Sequence, residues 1–379
     1  MTSAIINNGI STKPSVPEWD WSLISLVLLL AGVGLVFVYS ASIPYATQKL
    51  SDGDFYLRRQ EFYFLVSALA FYCASQVPVE LWKRTALPAV LLGIGLLVLV
   101  LIPGIGREVN GSLRWLAVGG LRLQPSEFVK IAFVLYLALL LTRRDEHSVV
   151  PLVGPLVVLV FITLLLLAEP DLGAATVLAM TTAGMLFLAG LPIWQFLLLN
   201  GALLGSVVIL TIFSPYRLAR LTGFVDPWAD PLASGFQLTQ SLMAFGRGGW
   251  DGVGLGQSVQ KLFYLPEAHT DFLFAVIAEE LGLIAVLLLL GSYVWLMFRA
   301  FTIAAAARLV ESQFGGLVAY GVGLLVGLQG LINMGVNMGV LPTKGLTLPL
   351  LSYGGSSLLF TAVALGLLLR IDHENRVAR

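Results

Sequence analysis

Long apolar stretches, separated by shorter polar segments, run along most of this chain. An α-helix needs about 20 apolar residues to cross the hydrocarbon core of a bilayer, and ten stretches approach or exceed that length. We therefore predict ten membrane-spanning helices. Their expected bounds are Ser22–Ser42, Phe62–Val77, Thr85–Ile102, Ser126–Leu141, Val149–Ala168, Ala174–Gly190, Ile193–Phe213, Phe272–Phe298, Gly316–Val336 and Pro349–Arg370.

The apolar residues in these stretches are continuous rather than alternating, which favours helices over the strands of a membrane barrel. Composition agrees, because 58% of the residues are hydrophobic and only 12% are charged, whereas a soluble domain has about 25% charged residues. The predicted fold class is an all-α polytopic membrane protein. Its formal net charge of zero gives no reason to expect a nucleic-acid partner.

An even number of spans places both chain ends on the same side of the membrane. Residues 1–21 are expected to form one tail, residues 22–370 the ten-helix domain, and residues 371–379 the other tail. The tails and short loops carry ten Lys and Arg residues on the side of the chain ends, against seven in short loops on the other side. Because cytoplasmic loops are usually the more basic ones, we place both tails in the cytoplasm.

The longest connection, residues 214–270 between spans seven and eight, is predicted to be structured and periplasmic. A connection of this length is usually functional or disordered, and this one carries aromatic residues throughout. Within it, Phe236–Phe245 is a candidate for a short amphipathic helix at the membrane surface. The glycine-rich segment Gly246–Gly256 matches a dinucleotide-binding loop only superficially, because no βαβ unit surrounds it. No nucleotide cofactor is expected.

The segment Leu265–Asp271 joins this loop to the apolar run Phe272–Leu290. A carboxylate at this junction can face water while its helix is anchored in lipid, so Asp271 is the leading candidate for a catalytic residue. The alternative is that Asp271 only caps the helix, since its oxygens can accept the free N–H groups of a first turn. His269 either has a structural role or contacts Asp271 or a substrate.

Two further outer segments carry charged residues. Glu127 and Lys130 are three residues apart at the start of span four, so they share a helix face and either neutralise each other or contact a ligand. Glu169 and Asp171 flank a proline between spans five and six. Asp171 is expected to cap span six, and the alternative is that the pair holds a cation or orients a basic residue.

Glu279 and Glu280 lie deep in span eight, where charged side chains usually face a bundle interior or a watery cavity. We expect a structural pair with a buried basic residue, and a functional role is the alternative. The last outer segment contains Lys344 and Ser356. Its Gly and Ser residues allow close helix packing, and Ser356 near a helix N-terminus would also suit a phosphate group.

Five segments in this order resemble the SEDS (shape, elongation, division and sporulation) family of bacterial proteins. The resemblance extends from Trp19 to about Asp372. Its last segment is more similar to the cell-division branch of the family than to the elongation branch. The matching segments are Gly111–Trp115, Arg122–Glu127, Glu169–Gly173, Leu265–Asp271 with Ala278–Gly282, and Leu341–Ser357.

This resemblance implies a peptidoglycan glycosyltransferase of the bacterial inner membrane that polymerises lipid II at the division septum, with its active site facing the periplasm. The expected partners are a class B penicillin-binding protein transpeptidase similar to FtsI, other divisome membrane proteins and membrane lipids. By similarity, Asp271 is the essential carboxylate, and Arg122 and Lys130 are important basic positions. Glu127 fits the same cluster.

Such an enzyme would join the 4-hydroxyl of an acceptor GlcNAc to C1 of MurNAc at the reducing end of the growing chain, with Asp271 as general base. The leaving undecaprenyl pyrophosphate would be stabilised, with or without a divalent cation such as Mg²⁺ or Mn²⁺, by Arg114, Arg122, Lys130 and Lys344. Two alternatives stay open. A lipid II flippase also suits ten spans and buried charges, and a scaffold could recruit the transpeptidase without catalysis.

Overall fold

The computed structural model describes six ranges of the chain: 19–109, 112–118, 121–143, 150–212, 215–233 and 235–379. Helices account for most of these residues. Within the described ranges they are α1 Trp21–Leu50, α2 Phe55–Gln76, α3 Val79–Leu101, α4 Pro125–Thr142, α5 Val150–Ala168, α6 Leu172–Leu188, α7 Ile193–Ile212, α8 Pro215–Val225, α9 Phe236–Gly248, α10 Leu273–Leu309, α11 Gln313–Asn337 and α12 Gly355–Val377.

Six of the described helices are long and apolar enough to cross a membrane, namely α1, α3, α4, α10, α11 and α12. Helices suit this role because a bilayer core offers no partner to a free backbone N–H or C=O group. Shorter apolar segments occur at Val153–Ala168, Leu172–Leu188 and Ile193–Ala202. The chain is therefore a multi-pass helical membrane protein, as predicted.

Several helices continue beyond the apolar stretches that predicted them. The first runs on to Leu50 and α10 runs on to Leu309, while α12 ends at Val377. Apolar residues mark the part of a helix that lipid covers, whereas backbone hydrogen bonds continue into the polar region. The predicted start of the last span at Pro349 is wrong, because turns occupy the residues before Gly355.

The all-α prediction missed a small antiparallel sheet, which lies between α3 and α4 in the chain. It consists of β1 Gly106–Val109, β2 Ser112–Val118 and β3 Leu121–Leu123, paired in that order. The register places Leu116 opposite Leu123. Strands of three to seven residues give too little periodicity to be recognised beside long apolar helices.

The centre of the bundle is formed by α4 and α11. In each of them 83% of the most apolar window is buried, against 28% in α3 at the periphery. Glycines let α11 approach α10 closely, as small residues do between membrane helices. A methyl group on Gly330 would lie 2.4 Å from the ring of Tyr293, and one on Gly327 would lie 2.3 Å from Met297.

The long connection after α7 contains two helices, α8 and α9. The predicted helix Phe236–Phe245 is confirmed as α9, which ends three residues later at Gly248. It packs against the start of α10, where the rings of Phe245 and Phe274 are 5.7 Å apart between centroids. The other helix, α8, was not predicted.

A bend in α10 receives the glycine-rich segment that follows α9. The bend is at Gly282, whose φ of 72° lies in the left-handed region that favours glycine. Main-chain hydrogen bonds join the segment to the helix on both sides of the bend. Val253 N donates to Glu279 O over 3.0 Å, and Leu283 N donates to Gly249 O over 2.9 Å.

We predict that Gly282→Ala lowers the free energy of unfolding by at least about 1–3 kcal/mol, the usual cost of a strained backbone conformation. The added methyl group would also lie 2.4 Å from Gly252 N. Thermal unfolding of the purified protein measures the effect. Gly291→Ala is the matched control in the same helix, because nothing lies within 4 Å of its new methyl group. Equal melting temperatures for the two variants would contradict the prediction.

Candidate active site

Asp271 lies in the turn just before α10. The helix begins at Leu273, and its N-cap residue is Phe272, which makes no side-chain capping bond. The alternative in which Asp271 serves as the helix cap is therefore wrong. The expected cap of α6 is confirmed, since the Asp171 carboxylate accepts a hydrogen bond from Ala174 N over 3.1 Å.

The Asp271 carboxyl group is partly exposed, yet protein atoms crowd closely around it. Burial raises its pKa from the ordinary value of 3.8 to about 7. The negative charges of Glu267 and Asp171 contribute to this rise, and the positive charges of Arg114 and Arg220 oppose it. A carboxyl group with this pKa exchanges protons near neutral pH, which is the property that a general base requires.

Arg114, on β2, links the small sheet to the turn between α5 and α6. Its Nε donates to Glu169 O over 3.1 Å, and its Nη2 donates to Pro170 O. These contacts hold the guanidinium group near the Asp271 carboxylate, whose pKa it lowers. The unpredicted sheet thus supplies a basic group to the site.

Glu169 is fully buried in the same turn. Among the described residues, neither of its carboxylate oxygens has a hydrogen-bond partner. Burial, followed by the charge of Asp171, raises the pKa of Glu169 to about 8, although Arg114 lowers it. The Asp171 carboxylate is instead well satisfied, because its Oδ2 accepts from Gln124 Nε2 and Ser126 Oγ over 3.3 Å and 3.2 Å.

The segment between α11 and α12 borders the site on another side. Lys344 Nζ donates to Thr176 Oγ1 over 3.0 Å, and burial lowers the pKa of Lys344. A methyl group on the next residue, Gly345, would lie 3.1 Å from Asp271 Oδ2. This segment therefore places the Gly345 backbone next to the carboxylate, while the neighbouring Lys344 side chain reaches α6.

Glu127 and Lys130 form a buried ion pair of 2.9 Å on α4. Lys130 Nζ also donates to Gln329 Oε1 over 2.6 Å. The mutual neutralisation considered from the sequence is thus present. The same three side chains line a cavity between α4, α11 and α12, so the pair also faces a space inside the bundle.

Arg122 is exposed at the end of β3. Ser356, in the first turn of α12, is buried and holds this strand. Its Oγ accepts from Gln124 N over 2.9 Å and donates to Arg122 O over 3.3 Å. The Ser356 hydroxyl is therefore used in packing, while the Arg122 guanidinium group is open to solvent.

His269 is packed among three tyrosines, which lie near the end of α1, at the start of α2 and in the turn before α12. Its ring centroid lies 4.6 Å from that of Tyr56, 5.9 Å from that of Tyr45 and 5.7 Å from that of Tyr353. Burial lowers the pKa of His269, although the charge of Glu267 raises it. The surroundings support a structural role that anchors the segment before Asp271.

Glu279 and Glu280 in α10 are fully buried. Glu279 pairs with Arg247 over 2.7 Å, and Glu280 pairs with Lys261 over 2.7 Å. Ser40 on α1 also donates to Glu280, over 3.0 Å. The expected structural pairing with basic residues is confirmed.

Sequence reasoning missed two polar side chains of α11 that contact the main chain of Asp271. Asn333 Nδ2 and Asn337 Nδ2 donate to Asp271 O over 2.9 Å and 3.0 Å. The available signal was their position, since polar residues inside a membrane helix usually face the bundle interior and have a function.

Comparison with known proteins gives a consistent result. The sequence profile of the FtsW/RodA/SpoVE cell cycle protein family matches residues 20–377. The probable peptidoglycan glycosyltransferase FtsW of Nitrosococcus halophilus (strain Nc4) is 51% identical over 364 residues, which cover 96% of this chain and 94% of the relative. The protein of the same name from Thioalkalivibrio sulfidiphilus (strain HL-EbGR7) is 53% identical, covering 94% of this chain and 90% of the relative.

Solved structures share the fold. A chain from a peptidoglycan synthase complex that coordinates polymerization and crosslinking superposes with a TM-score of 0.77 at 33% identity, covering 94% of this chain and 98% of that chain. The rod shape determining protein RodA of Thermus thermophilus superposes with a TM-score of 0.70 at 29% identity, covering 96% and 99%. The chain therefore belongs to the FtsW/RodA/SpoVE family of cell cycle proteins.

Proposed function

We propose that this protein is a peptidoglycan glycosyltransferase that polymerises lipid II into β-1,4-linked glycan strands for septal cell-wall synthesis. One observation carries the proposal. Asp271 is a partly exposed carboxyl group with a pKa of about 7, placed among Arg114, Arg220 and the Lys344 segment. The names of relatives that are about half identical to this chain support the same activity.

In the proposed reaction, the acceptor GlcNAc 4-hydroxyl attacks C1 of the donor MurNAc at the reducing end of the growing strand. The bond from C1 to the pyrophosphate oxygen breaks, and its electron pair leaves with undecaprenyl pyrophosphate. Asp271 takes the hydroxyl proton, a contribution of about 10²–10⁴-fold to the rate. A direct displacement inverts the α-linked donor and gives the β-1,4 bond.

Basic side chains around Asp271 would stabilise the negative charge of the leaving group, which is where fixed electrostatic groups have the largest effect. Arg114 acts on the carboxylate, Lys344 precedes Gly345 in the segment that approaches it, and Arg122 is exposed on the adjacent strand. Lys130 would act from the cavity between α4, α11 and α12.

A divalent cation fits this site only if the substrate shares in holding it. Among the described residues, no group of three or more acidic, His or Cys side chains is arranged to hold a metal ion. Mg²⁺, however, is often bound through one or two carboxylates together with substrate phosphates. Glu169, whose two carboxylate oxygens have no hydrogen-bond partner within the described ranges, and Asp171 would hold Mg²⁺ or Mn²⁺, which would add positive charge beside the pyrophosphate.

The proposed membrane arrangement has ten spans, formed by α1–α7 and α10–α12 within residues 22–370. Both tails would lie in the cytoplasm, and the connection containing α8 and α9 would lie in the periplasm with the active site. We also propose a class B penicillin-binding protein transpeptidase as partner at the septum, because one structural neighbour belongs to a complex that coordinates polymerization with crosslinking. Other divisome proteins and membrane lipids would surround the pair.

We predict that Asp271→Ala and Asp271→Asn reduce lipid II polymerisation by about 10²–10⁴-fold. The assay gives lipid II to the purified protein with its transpeptidase partner and separates glycan strands on a gel. Asp251→Asn, an exposed acidic residue in the glycine-rich segment, is the matched control and should polymerise normally.

If Asp271→Asn polymerises lipid II at the parental rate, the proposed glycosyltransferase activity is wrong. If the protein is a flippase, Asp271→Ala will abolish lipid II flipping in proteoliposomes. An added polymerase will still make glycan from preflipped substrate. A scaffold would support normal growth with Asp271→Ala as long as the partner still bound.

The raised pKa of Asp271 predicts a pH dependence. The base is active only when deprotonated, so polymerisation should fall as the pH drops through about 7 rather than through the ordinary Asp value of 3.8. Arg114 lowers this pKa, so Arg114→Ala should move the acidic midpoint to higher pH. Polymerisation rates measured on both sides of pH 7 test this, and a midpoint near 4 in the parent would contradict it.

A double substitution separates the two roles of Lys130. Lys130→Met alone leaves Glu127 buried without its partner, which should cost about 3–5 kcal/mol of stability. Adding Glu127→Gln removes the unpaired charge and should restore the melting temperature. If Lys130 acts on the pyrophosphate, the stable double variant still polymerises slowly. Recovery of both stability and parental polymerisation would reduce Lys130 to a neutralising partner.

A further inference from the structure

Asn333 and Asn337 lie one turn apart on α11 and converge on a single atom, the main-chain oxygen of Asp271. The Nδ2–O distances are 2.9 Å and 3.0 Å. Both asparagines are almost fully buried, with 1% and 0% of their surface exposed. A buried amide group needs a hydrogen-bond partner, because an unpaired polar group is costly in the protein interior, and both asparagines find that partner on the same carbonyl group.

Asn337 also contacts α10 in the opposite direction. Its Oδ1 accepts from Ala275 N over 3.2 Å, an N–H group in the first turn of α10 that also donates to Phe272 O over 3.1 Å. The N-cap residue Phe272 makes no side-chain capping bond. A side chain from the neighbouring helix α11 accepts a hydrogen bond from the first turn instead. Asn337 therefore ties both the first turn of α10 and the main chain of Asp271 to α11.

Asn333 connects Asp271 to the segment between α11 and α12. The same Nδ2 that bonds Asp271 O also donates to Leu346 O over 2.5 Å. Leu346 follows Gly345, whose backbone approaches the Asp271 carboxylate. A single amide group thus sets the separation between the carboxylate and the basic segment opposite it.

We propose that Asn333 and Asn337 are positioning residues that act through the Asp271 main chain to hold its carboxylate in the reactive geometry. This inference rests on the proposed glycosyltransferase activity, in which Asp271 is the base. The asparagines do not touch the reacting atoms. Loss of either amide leaves a buried carbonyl short of a donor and lets the turn shift, and a misplacement of 1 Å can cost about 10²-fold in rate.

The test compares Asn333→Ala, Asn337→Ala and the milder Asn333→Ser with a matched control. Asn375→Ala is that control, because Asn375 is also a buried amide that donates to a main-chain oxygen of α10, Ile303 O, over 3.2 Å. It lies on α12, in the last turns before the C-terminus, where it touches none of the site residues.

The expected result is a fall in kcat of about 10²-fold for the Asn333 and Asn337 variants, with the number of lipid II molecules bound per protein unchanged. Asn375→Ala should keep the parental kcat at a similar loss of melting temperature. A purely structural role would instead lower lipid II binding and kcat in parallel, because fewer molecules would be folded. If Asn337→Ala does not fold, the Asn333→Ser comparison decides.

A second readout does not depend on enzymatic activity. Carbodiimide labels protonated carboxyl groups, and mass spectrometry of the labelled peptide follows Asp271 as the pH changes. Because Asp271 faces the charges of Glu267, Asp171, Arg114 and Arg220, a shift of its turn should displace the labelling midpoint in the Asn333 variants. Asn375→Ala should leave that midpoint unchanged.

Parental kcat and a parental labelling midpoint in Asn333→Ala would overturn the positioning role while the glycosyltransferase stands. The opposite result would be a displaced labelling midpoint in the Asn333 variants together with a parent chain that cannot polymerise lipid II. The asparagines would then position Asp271, and the proposed activity would be wrong.

Discussion

Two fully buried carboxylates, Glu279 and Glu280, determine how the connection between α7 and α10 is arranged. A charge inside a membrane bundle must be paired and hydrogen-bonded, because leaving it alone costs several kcal/mol. The partners come from the connection between α7 and α10: Arg247 and Lys261 provide cations, and three backbone N–H groups between Ser258 and Gln260 point at the two carboxylates. The long connection between α7 and α10 is thereby fixed to the helix that follows it. This pairing therefore supports the segment that carries Asp271, together with the hydrogen bonds from α11.

Asp271 benefits from that support because its surroundings come from chain segments far apart in sequence. The sheet before α4 contributes Arg114, the segment after α11 contributes Lys344, and α11 itself contributes two amide groups to the Asp271 main chain. Each is held by hydrogen bonds at the end of a helix or strand. The result is a carboxyl group crowded enough to have a pKa of about 7 and still open to a substrate hydroxyl. In the proposed reaction, that combination lets one side chain accept a proton at neutral pH.

Sequence patterns predicted the parts of the fold that depend on local physics. Apolar runs located the long helices, the glycine-flanked polar segment gave α9, and Asp171 was recognised as a cap from its position before α6. The burial of Glu279 and Glu280 in an apolar run correctly indicated basic partners. The sheet was missed because its strands are short, and the capping alternative for Asp271 failed because Asn337, 66 positions away in the chain, takes over that task. Which residue of α11 would meet which residue of the α10 turn depends on helix rotation and packing, which a single sequence does not specify.

The role of Asp271 is tested most directly by a cryo-EM structure of the protein with its transpeptidase partner, an acceptor strand and a lipid II analogue that cannot transfer its sugar. If Asp271 is the base, the acceptor GlcNAc 4-hydroxyl will lie about 2.6–3.2 Å from its carboxylate, and the pyrophosphate will contact Arg114, Arg122 or Lys344. An acceptor hydroxyl bound elsewhere, with the pyrophosphate remote from these basic groups, would contradict that role.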